Sequence, residues 1–405
     1  MAATEKRGRC GIGILAAGVS ALAGSAARAD GSVDFRYLFY GENDNRTQVL
    51  NPEVYYQQNW GEKGQLGLLL SYDSISGASP TGAVPALDAT ATASSSGTIP
   101  MAEYTDTRKA AGVNFSRRFG SHLPSVNLSY SKESDYLSRG LSLVDSWEMF
   151  GKRSTLHFGF GRIWDDIYPV NMTQQFTKSS SSYSLGWTQV LGPQDLLDVS
   201  FGLDKLSGYL TDPYKVVTVG GVDMPEVRPD ARSRKTAVLK YGHYFHSRTA
   251  LKPSFRYYWD DWSIQAYTFG LELDQRFGQK WIVSPELRLY RQGAASFFAF
   301  EFAAPQPAMS ADYRLSSFWS WKAGLGVTVA LNDRVSFNMA AAYQDQTGLD
   351  RYTPPPPTVL PLRPGQLAVL LEEDDDGEED EGGPTSLSAA DMTVLTATLG
   401  FTFSF

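Results

Sequence analysis

Residues 393–405 read TVLTATLGFTFSF. Leu395, Ala397, Leu399, Phe401, Phe403 and Phe405 fall on one face, and Thr396, Thr398, Gly400, Thr402 and Ser404 fall on the other. This is the period of two that marks a β-strand, carried to the last residue. An apolar face backed by small polar residues suits a strand with lipid outside and water inside. The edge strand of a soluble sandwich would show the same alternation, so the rest of the chain has to decide.

At the other end, Lys6, Arg7 and Arg9 precede an apolar stretch from Gly11 to Ala23, and Ala27-Arg28-Ala29 forms a small-residue cleavage site before Asp30. The pattern predicts a secretory signal peptide over residues 1–29 and a mature chain over 30–405. The stretch is too short and too rich in Gly and Ala for a membrane-spanning helix, and no later segment offers about eighteen uninterrupted apolar residues. The single cysteine, Cys10, is expected to leave with the signal. That excludes disulfides, thiolate metal sites and cysteine nucleophiles from the mature protein. Loss of Lys6, Arg7, Arg9, Arg28 and Glu5 leaves 32 basic against 43 acidic residues, a net charge of −11, which argues against nucleic acid as a partner. Mean hydropathy is −0.26, but a transmembrane barrel is polar along half of every strand, so this value does not discriminate. The 13% aromatic content fits girdles at two membrane interfaces.

Alternation of barrel-strand length recurs about sixteen times, at 33–41, 48–60, 65–73, 107–119, 125–134, 140–150, 153–164, 180–191, 195–206, 233–246, 249–259, 262–277, 280–290, 314–331, 334–345 and 392–405. The connections alternate in length. Tight turns such as Gly61-Glu62-Lys63-Gly64, Gly192-Pro193-Gln194, Gly278-Gln279 and Asn332-Asp333 separate longer joins, notably 74–106, 165–179, 207–232, 291–313 and 346–391. All short turns then fall on one side, which with periplasmic termini is the periplasm, and all long loops outside. A sandwich has no reason for this asymmetry. The expected fold is therefore an all-β, antiparallel, up-and-down membrane barrel of sixteen strands, with fourteen as the alternative count. Two loops are unusual in composition. Gly77 to Gly97 is rich in Ala, Ser, Thr and Gly, whereas the 346–391 loop holds Pro354 to Pro357 and an acidic run from Glu372 to Glu381. That run reads either as a solvated segment or as a weak recruiter of divalent cations at the cell surface.

Several longer stretches together carry a family resemblance: YDSISGASPTGA from Tyr72, DYLSRG from Asp135, GYLTDPYKVV from Gly208, RPDARSRKTAVLKYGHYF from Arg228, FRYYWDDW from Phe255, YRQGAASFF from Tyr290 and SADYRLSSF from Ser310. They resemble an uncharacterised family of bacterial outer-membrane proteins, domain of unknown function family 3570. The segment from Pro354 to Gly383 is not part of that pattern. The resemblance implies an outer-membrane barrel in a Gram-negative bacterium and supplies no catalytic residue. It also implies company with small lipoproteins, thioredoxin-like proteins and a flavin-attaching transferase, and so a role in export or envelope redox. The terminal Phe405, with Phe403 and Phe401, resembles the signal by which the barrel-assembly machinery recognises a last strand.

Strand parity places Lys252, Arg256, Glu272, Asp274, Arg276, Glu286 and Arg288 in the lumen, with Phe255, Tyr257, Phe269, Leu271, Leu287 and Leu289 facing lipid. Opposite charges on neighbouring strands can pair into a ladder that stiffens the wall. Alternatively, Arg256, Arg276 and Arg288 stay free and bias which solutes pass. At the outer rim, Asp165-Asp166 and Asp260-Asp261 sit beside aromatics. With Asp212, Tyr214 and Lys215 they form either an aromatic girdle with polar tips or a mouth that holds a ligand or docks an inward-folded loop. The four histidines, His122, His157, His243 and His246, show no nucleophile, base and orienting group together, and His243 and His246 face opposite sides of a strand. No cofactor, no metal and no enzymatic activity are expected. A barrel of this size can leave an aqueous channel. The reading is a pore or exporter for a small solute or peptide, with a closed docking barrel as the alternative. Its expected partners are outer-membrane lipid, lipopolysaccharide, the assembly machinery and a small lipoprotein or exported peptide.

Overall fold

The computed structural model describes residues 30–84, 99–353 and 386–405. The expected signal peptide, residues 85–97 of the Ala- and Ser-rich loop, and the run from Pro354 to Glu381 lie outside the described residues. Sixteen strands form one closed antiparallel barrel. They are β1 (Gly31–Glu42), β2 (Gln48–Asn59), β3 (Gly64–Pro80), β4 (Met101–Arg117), β5 (His122–Lys132), β6 (Tyr136–Met149), β7 (Ser154–Ile167), β8 (Phe176–Val190), β9 (Asp195–Gly208), β12 (Ala231–Phe245), β13 (Thr249–Asp260), β14 (Gln265–Phe277), β15 (Trp281–Gln292), β17 (Phe318–Ala330), β18 (Val335–Gly348) and β19 (Met392–Ser404). Three short strands, β10 (Val216–Val219), β11 (Val222–Pro225) and β16 (Glu301–Phe302), form a separate small sheet within the loops. Closure comes from β1 against β19, with Val33 opposite Phe403 and Tyr37 opposite Leu399. No sheet edge is left unpaired in the barrel, which a membrane demands because lipid offers no hydrogen bonds.

The large apolar residues of the barrel stand exposed on its outer face, including Leu395, Leu399, Phe401, Phe255, Phe269, Phe201 and Leu128. Their alternate neighbours are polar and face the lumen. Phe405 lies across the closure seam on the outer side, stacked at 6.4 Å on Tyr56 and packed over Val33 and Val54. Its backbone N–H and carbonyl both bond to Gly31.

One end of the barrel has only tight turns, and every long connection is at the other end, which also carries the short joins 133–135 and 261–264. Gly61 and Gly278 sit at φ 57° and 58°, where a side chain would strain the turn. Several strand boundaries differ from the sequence expectation, and four of them have an evident local reason. β3 and β4 run on to Pro80 and back from Met101, because their register continues beyond the wall as a protruding hairpin. β14 begins at Gln265 because the Asp260 carboxylate caps the backbone N–H groups of Trp262 and Ile264 and holds 261–264 as a turn. The strand expected from 314 starts at Phe318, because the Asp312 carboxylate accepts the Arg314 N–H and winds Tyr313–Leu315 into a 3-10 turn.

Candidate functional site

The long loops fold inward over one mouth of the barrel. Two segments carry most of this cap, 209–230 after β9 and 293–317 after β15. One apolar cluster joins Val217, Val219, Phe302, Met309 and Ala311, and a second joins Trp262, Ile264, Ala295, Phe297 and Leu315, with Trp262 and Phe297 edge to face at 5.1 Å. The wall holds the cap from inside. Gln292 on β15 donates to the carbonyls of Arg314 and Ser316, and Gln346 on β18 donates to that of Ala390. Lys215 reaches from the β9 side to the β3 hairpin, where its ammonium donates to Ser79 Oγ at 2.7 Å and to the Pro80 carbonyl. Arg46, from the β1–β2 connection, donates to Ala389 and faces the Tyr313 ring.

Between these segments is a buried ionic cluster. Asp312 is about 1% exposed and receives both Arg228, at 2.7 Å, and Arg314. Burial alone would raise its pKa, but the two guanidinium groups outweigh burial and hold it at about 2. Arg314 also pairs with Asp212, and the Asp212 N–H donates to Glu226. Burial pushes the Glu226 carboxyl above its ordinary value despite Arg228 and Ser310 beside it. Burial likewise lowers Lys215. The Tyr214 hydroxyl donates to Asp135, and burial together with that bond pushes it up to about 12.

Beneath the cap, the wall from β12 to β18 encloses two adjoining lumen cavities that share Arg256 and Tyr290. The upper one, about 370 Å³, is roofed by Arg228, Arg314 and Leu315 and walled by Arg232, Arg234 and Arg256, while the lower, about 270 Å³, adds Arg288 and Lys322. Among the described residues no carboxylate lines either cavity directly. The lumen charges resolve into two groups. Lys252 takes both Glu272 and Asp274, at 2.7 and 2.5 Å, and Glu286 goes to Lys322 at 2.6 Å. Arg256 and Arg288 form no ion pair among the described residues and lie over the rings of Tyr258 and Tyr290 at 5.8 and 5.6 Å. Arg276 stands apart near the turn end, opposite Ile282. Arg234 has only a distant partner, Asp204 at 3.6 Å, and its buried Nε has no acceptor.

The rim carboxylates are not gathered into one mouth. Asp260 is committed to Arg232, to the Tyr258 hydroxyl at 2.6 Å and to its own turn, and Asp261 accepts the Ser233 N–H. Asp165 is buried beside Lys178, whereas Asp166 points to the opposite face and pairs with Arg139. Asp212 and Tyr214 join the cap instead. Sequence reasoning missed Arg232, Arg234, Arg314 and Lys322, although the even-numbered alternation of β12 and β17 placed three of them in the lumen. Arg314 lies in a loop, where parity has no meaning. It also missed a carboxylate cluster of Asp106, Glu133 and Asp135 at the loop end, whose oxygens lie within 4.8 Å of one another.

Residues 14–354 match the family described as protein of unknown function, DUF3570, and the chain belongs to that family. None of the curated proteins matches it. Among solved structures, a bacterial polysaccharide outer membrane secretin aligns over 93% of this chain and 98% of its own, at 9% identity and a TM-score of 0.49. OccK9 (OpdG) of Pseudomonas aeruginosa aligns over 93% and 98%, at 10% identity and a TM-score of 0.42. The siderophore receptor PirA of Pseudomonas aeruginosa aligns at 11% identity and a TM-score of 0.42, over 81% of this chain, which spans only 57% of that receptor. A closed, edge-free antiparallel barrel with an apolar outer face is the fold of bacterial outer-membrane proteins.

Proposed function

We propose that this family member is a capped outer-membrane pore that passes small anionic solutes, with its termini and tight turns in the periplasm and its cap outside. The observation that carries the reading is the pairing of charges along the lumen. Lys252 and Lys322 are neutralised by neighbours, while Arg256 and Arg288 face the two cavities with no carboxylate bonded to them among the described residues. A guanidinium that lies over a tyrosine ring with no carboxylate bonded to it keeps its donors free for whatever enters. In a narrow lumen with low-dielectric walls such a field concentrates anions. No catalytic role is assigned to the wall.

Single-channel recording in planar bilayers tests this. Wild-type protein should conduct with an anion-biased reversal potential under a salt gradient. Replacing Arg256 and Arg288 with Gln should shift it toward cations, more strongly at low ionic strength where screening is weaker. Lys252→Gln should change it little. A reversal potential unmoved by the double replacement would reduce the arginines to wall filling. A second reading is supported by the depth to which the cap is tied to Gln292 and Gln346: a barrel closed at rest that serves as a docking platform for an export or envelope redox system. A folded barrel that stays silent would favour it over the pore.

A further inference from the structure

The outer wall carries a second basic region, separate from the lumen. Counted from the turn end of each strand, the outward residue in the ninth to eleventh place is Lys109 on β4, Lys132 on β5, Arg139 on β6, Arg162 on β7, Lys205 on β9 and Lys235 on β12. In the one intervening strand, β8, that place belongs to Ser181. Register puts neighbours together, with Lys109 opposite Lys132, Tyr130 opposite Arg139, and Arg162 and Lys205 both opposite Ser181. Over the other nine strands the same level is held by residues such as Trp259, Tyr267, Trp321, Leu395, Leu50 and Tyr72, with Arg291 and Asp345 as its only charges.

About nine to eleven residues is the length of a strand that crosses a bilayer. The arc therefore stands at the headgroup level of the leaflet on the loop side, directly above the apolar belt of Phe160, Tyr183, Leu185 and Phe201. A lone lysine at such a level snorkels to water and needs no ligand. Anchoring, however, would spread cations around the whole circumference, and here they are confined to one side. Only Arg139 has an acidic partner among the described residues, Asp166. Arg162 is laid along the wall by its bond to Ser179 Oγ at 3.1 Å and a further one to Ser181. Arg139 and Arg162 flank a groove of about 720 Å³ that reaches Trp164 and Gly208, where the carboxylates Asp166 and Asp165 also line it, paired with Arg139 and Lys178. The turn end has no counterpart arc: two of its outward residues are the carboxylates Asp145 and Asp195, each held by a histidine at 2.7 Å.

We propose that this arc binds the phosphate groups of a phosphorylated glycolipid of the outer leaflet, the lipid A part of lipopolysaccharide. Its acyl chains lie on the apolar belt and its phosphates lie between Lys132, Arg139, Arg162 and Lys205. Charge complementarity selects a lipid with more than one phosphate, because the cations span several strands and a single headgroup would meet only one or two of them. The inference rests on the orientation that places the loop end outside. It does not depend on conduction through the lumen.

The test is native mass spectrometry of the refolded barrel in neutral detergent, titrated with bisphosphorylated lipid A, with its dephosphorylated form and with phosphatidylglycerol. Wild type should retain bisphosphorylated lipid A at least about tenfold more tightly than the variant carrying Lys132→Gln, Arg139→Gln, Arg162→Gln and Lys205→Gln, a difference of about 1.4 kcal/mol or more. The lumen variant Arg256→Gln with Arg288→Gln should bind like wild type. Heat-modifiable migration verifies folding, and if the fourfold variant fails to fold, Arg139→Gln with Arg162→Gln replaces it with a smaller loss expected. Equal binding by variant and wild type, or equal retention of the dephosphorylated lipid, overturns the site. Phosphatidylglycerol held as tightly as lipid A overturns the assignment to the outer-leaflet glycolipid and leaves the pore reading standing.

Discussion

The cap and the wall beneath it are built from the same residue types and use them in opposite ways. In the cap, Arg228 and Arg314 close on Asp312, and Arg314 also reaches Asp212, so each cation is matched within one buried cluster. Below it, Arg256 and Arg288 have tyrosine faces instead of carboxylates. A buried charge has to be compensated, whereas a charge on a water-filled lumen does not, so the cap's arginines hold structure and the wall's remain available. An arginine's role in this barrel therefore follows from its dielectric surroundings more than from its place in the chain.

The sharpest way to break the comparison is Asp312→Ala. It takes the shared carboxylate from the buried Arg228 and the half-exposed Arg314, which keep only Glu226 and Asp212, so the cost falls toward the lower end of the about 3–5 kcal/mol of a broken buried pair. Hydrogen exchange in 209–230 and 293–317 should rise steeply while the barrel strands stay protected. Unchanged exchange in the cap would mean that the cluster does not hold it.

The next effect belongs to the wall, whose stability comes from its outer face. Leu399 is 52% exposed, sixth from the turn end of β19 and so near the bilayer midplane, and Leu399→Arg should cost about 2–4 kcal/mol. Thr398→Arg, one residue away on the lumen side, should assemble far better in a heat-modifiability assay, and deletion of Phe405 should hinder assembly. Equal assembly of the two arginine variants would contradict the assigned faces.

A smaller effect is the pH response of the cap. Asp312 is depressed to about 2, so its contribution is complete above its ordinary value of 3.8 and is lost as pH falls toward 2. Glu226 is raised, so its contribution is complete below its ordinary 4.5 and is lost as pH rises through its shifted value. Protease resistance of the cap should therefore improve on moving from about pH 7 to about pH 5, and Glu226→Gln should remove that gain. A wild-type response that survives in Glu226→Gln would assign it to another group. The smallest expected change is in stability on replacing Arg256 and Arg288 with Gln, within about 0.5 kcal/mol by denaturant unfolding, even as conduction changes. A large loss would move these arginines into the structural class with those of the cap.

The strands were legible in the sequence because membrane and lumen impose opposite solvents on alternate residues, and a run such as 393–405 records both. Parity likewise put Arg256 and Arg288 in the lumen, but it could not say which carboxylate each would meet. The expected ladder did not assign Glu272, Asp274 and Glu286 to particular cations, and in the structure lysines take them. Lys252 stands directly opposite Glu272, and Lys322 reaches Glu286 diagonally from the next strand. Asp260 read as a free rim carboxylate because its partner Arg232 is 28 residues away, and only the β12–β13 register brings them together.

The sequence by itself determined the solvent on each side of the wall strands, a wall of sixteen or fourteen of them and the end at which the long loops gather, since these depend on local alternation and turn chemistry. Only the tertiary structure decided that loops 209–230 and 293–317 fold inward, which arginines are neutralised, and that six outward cations share one arc. Those outcomes depend on register and tilt around a closed sheet and on loop contacts between residues far apart in the chain, about which no local period carries information.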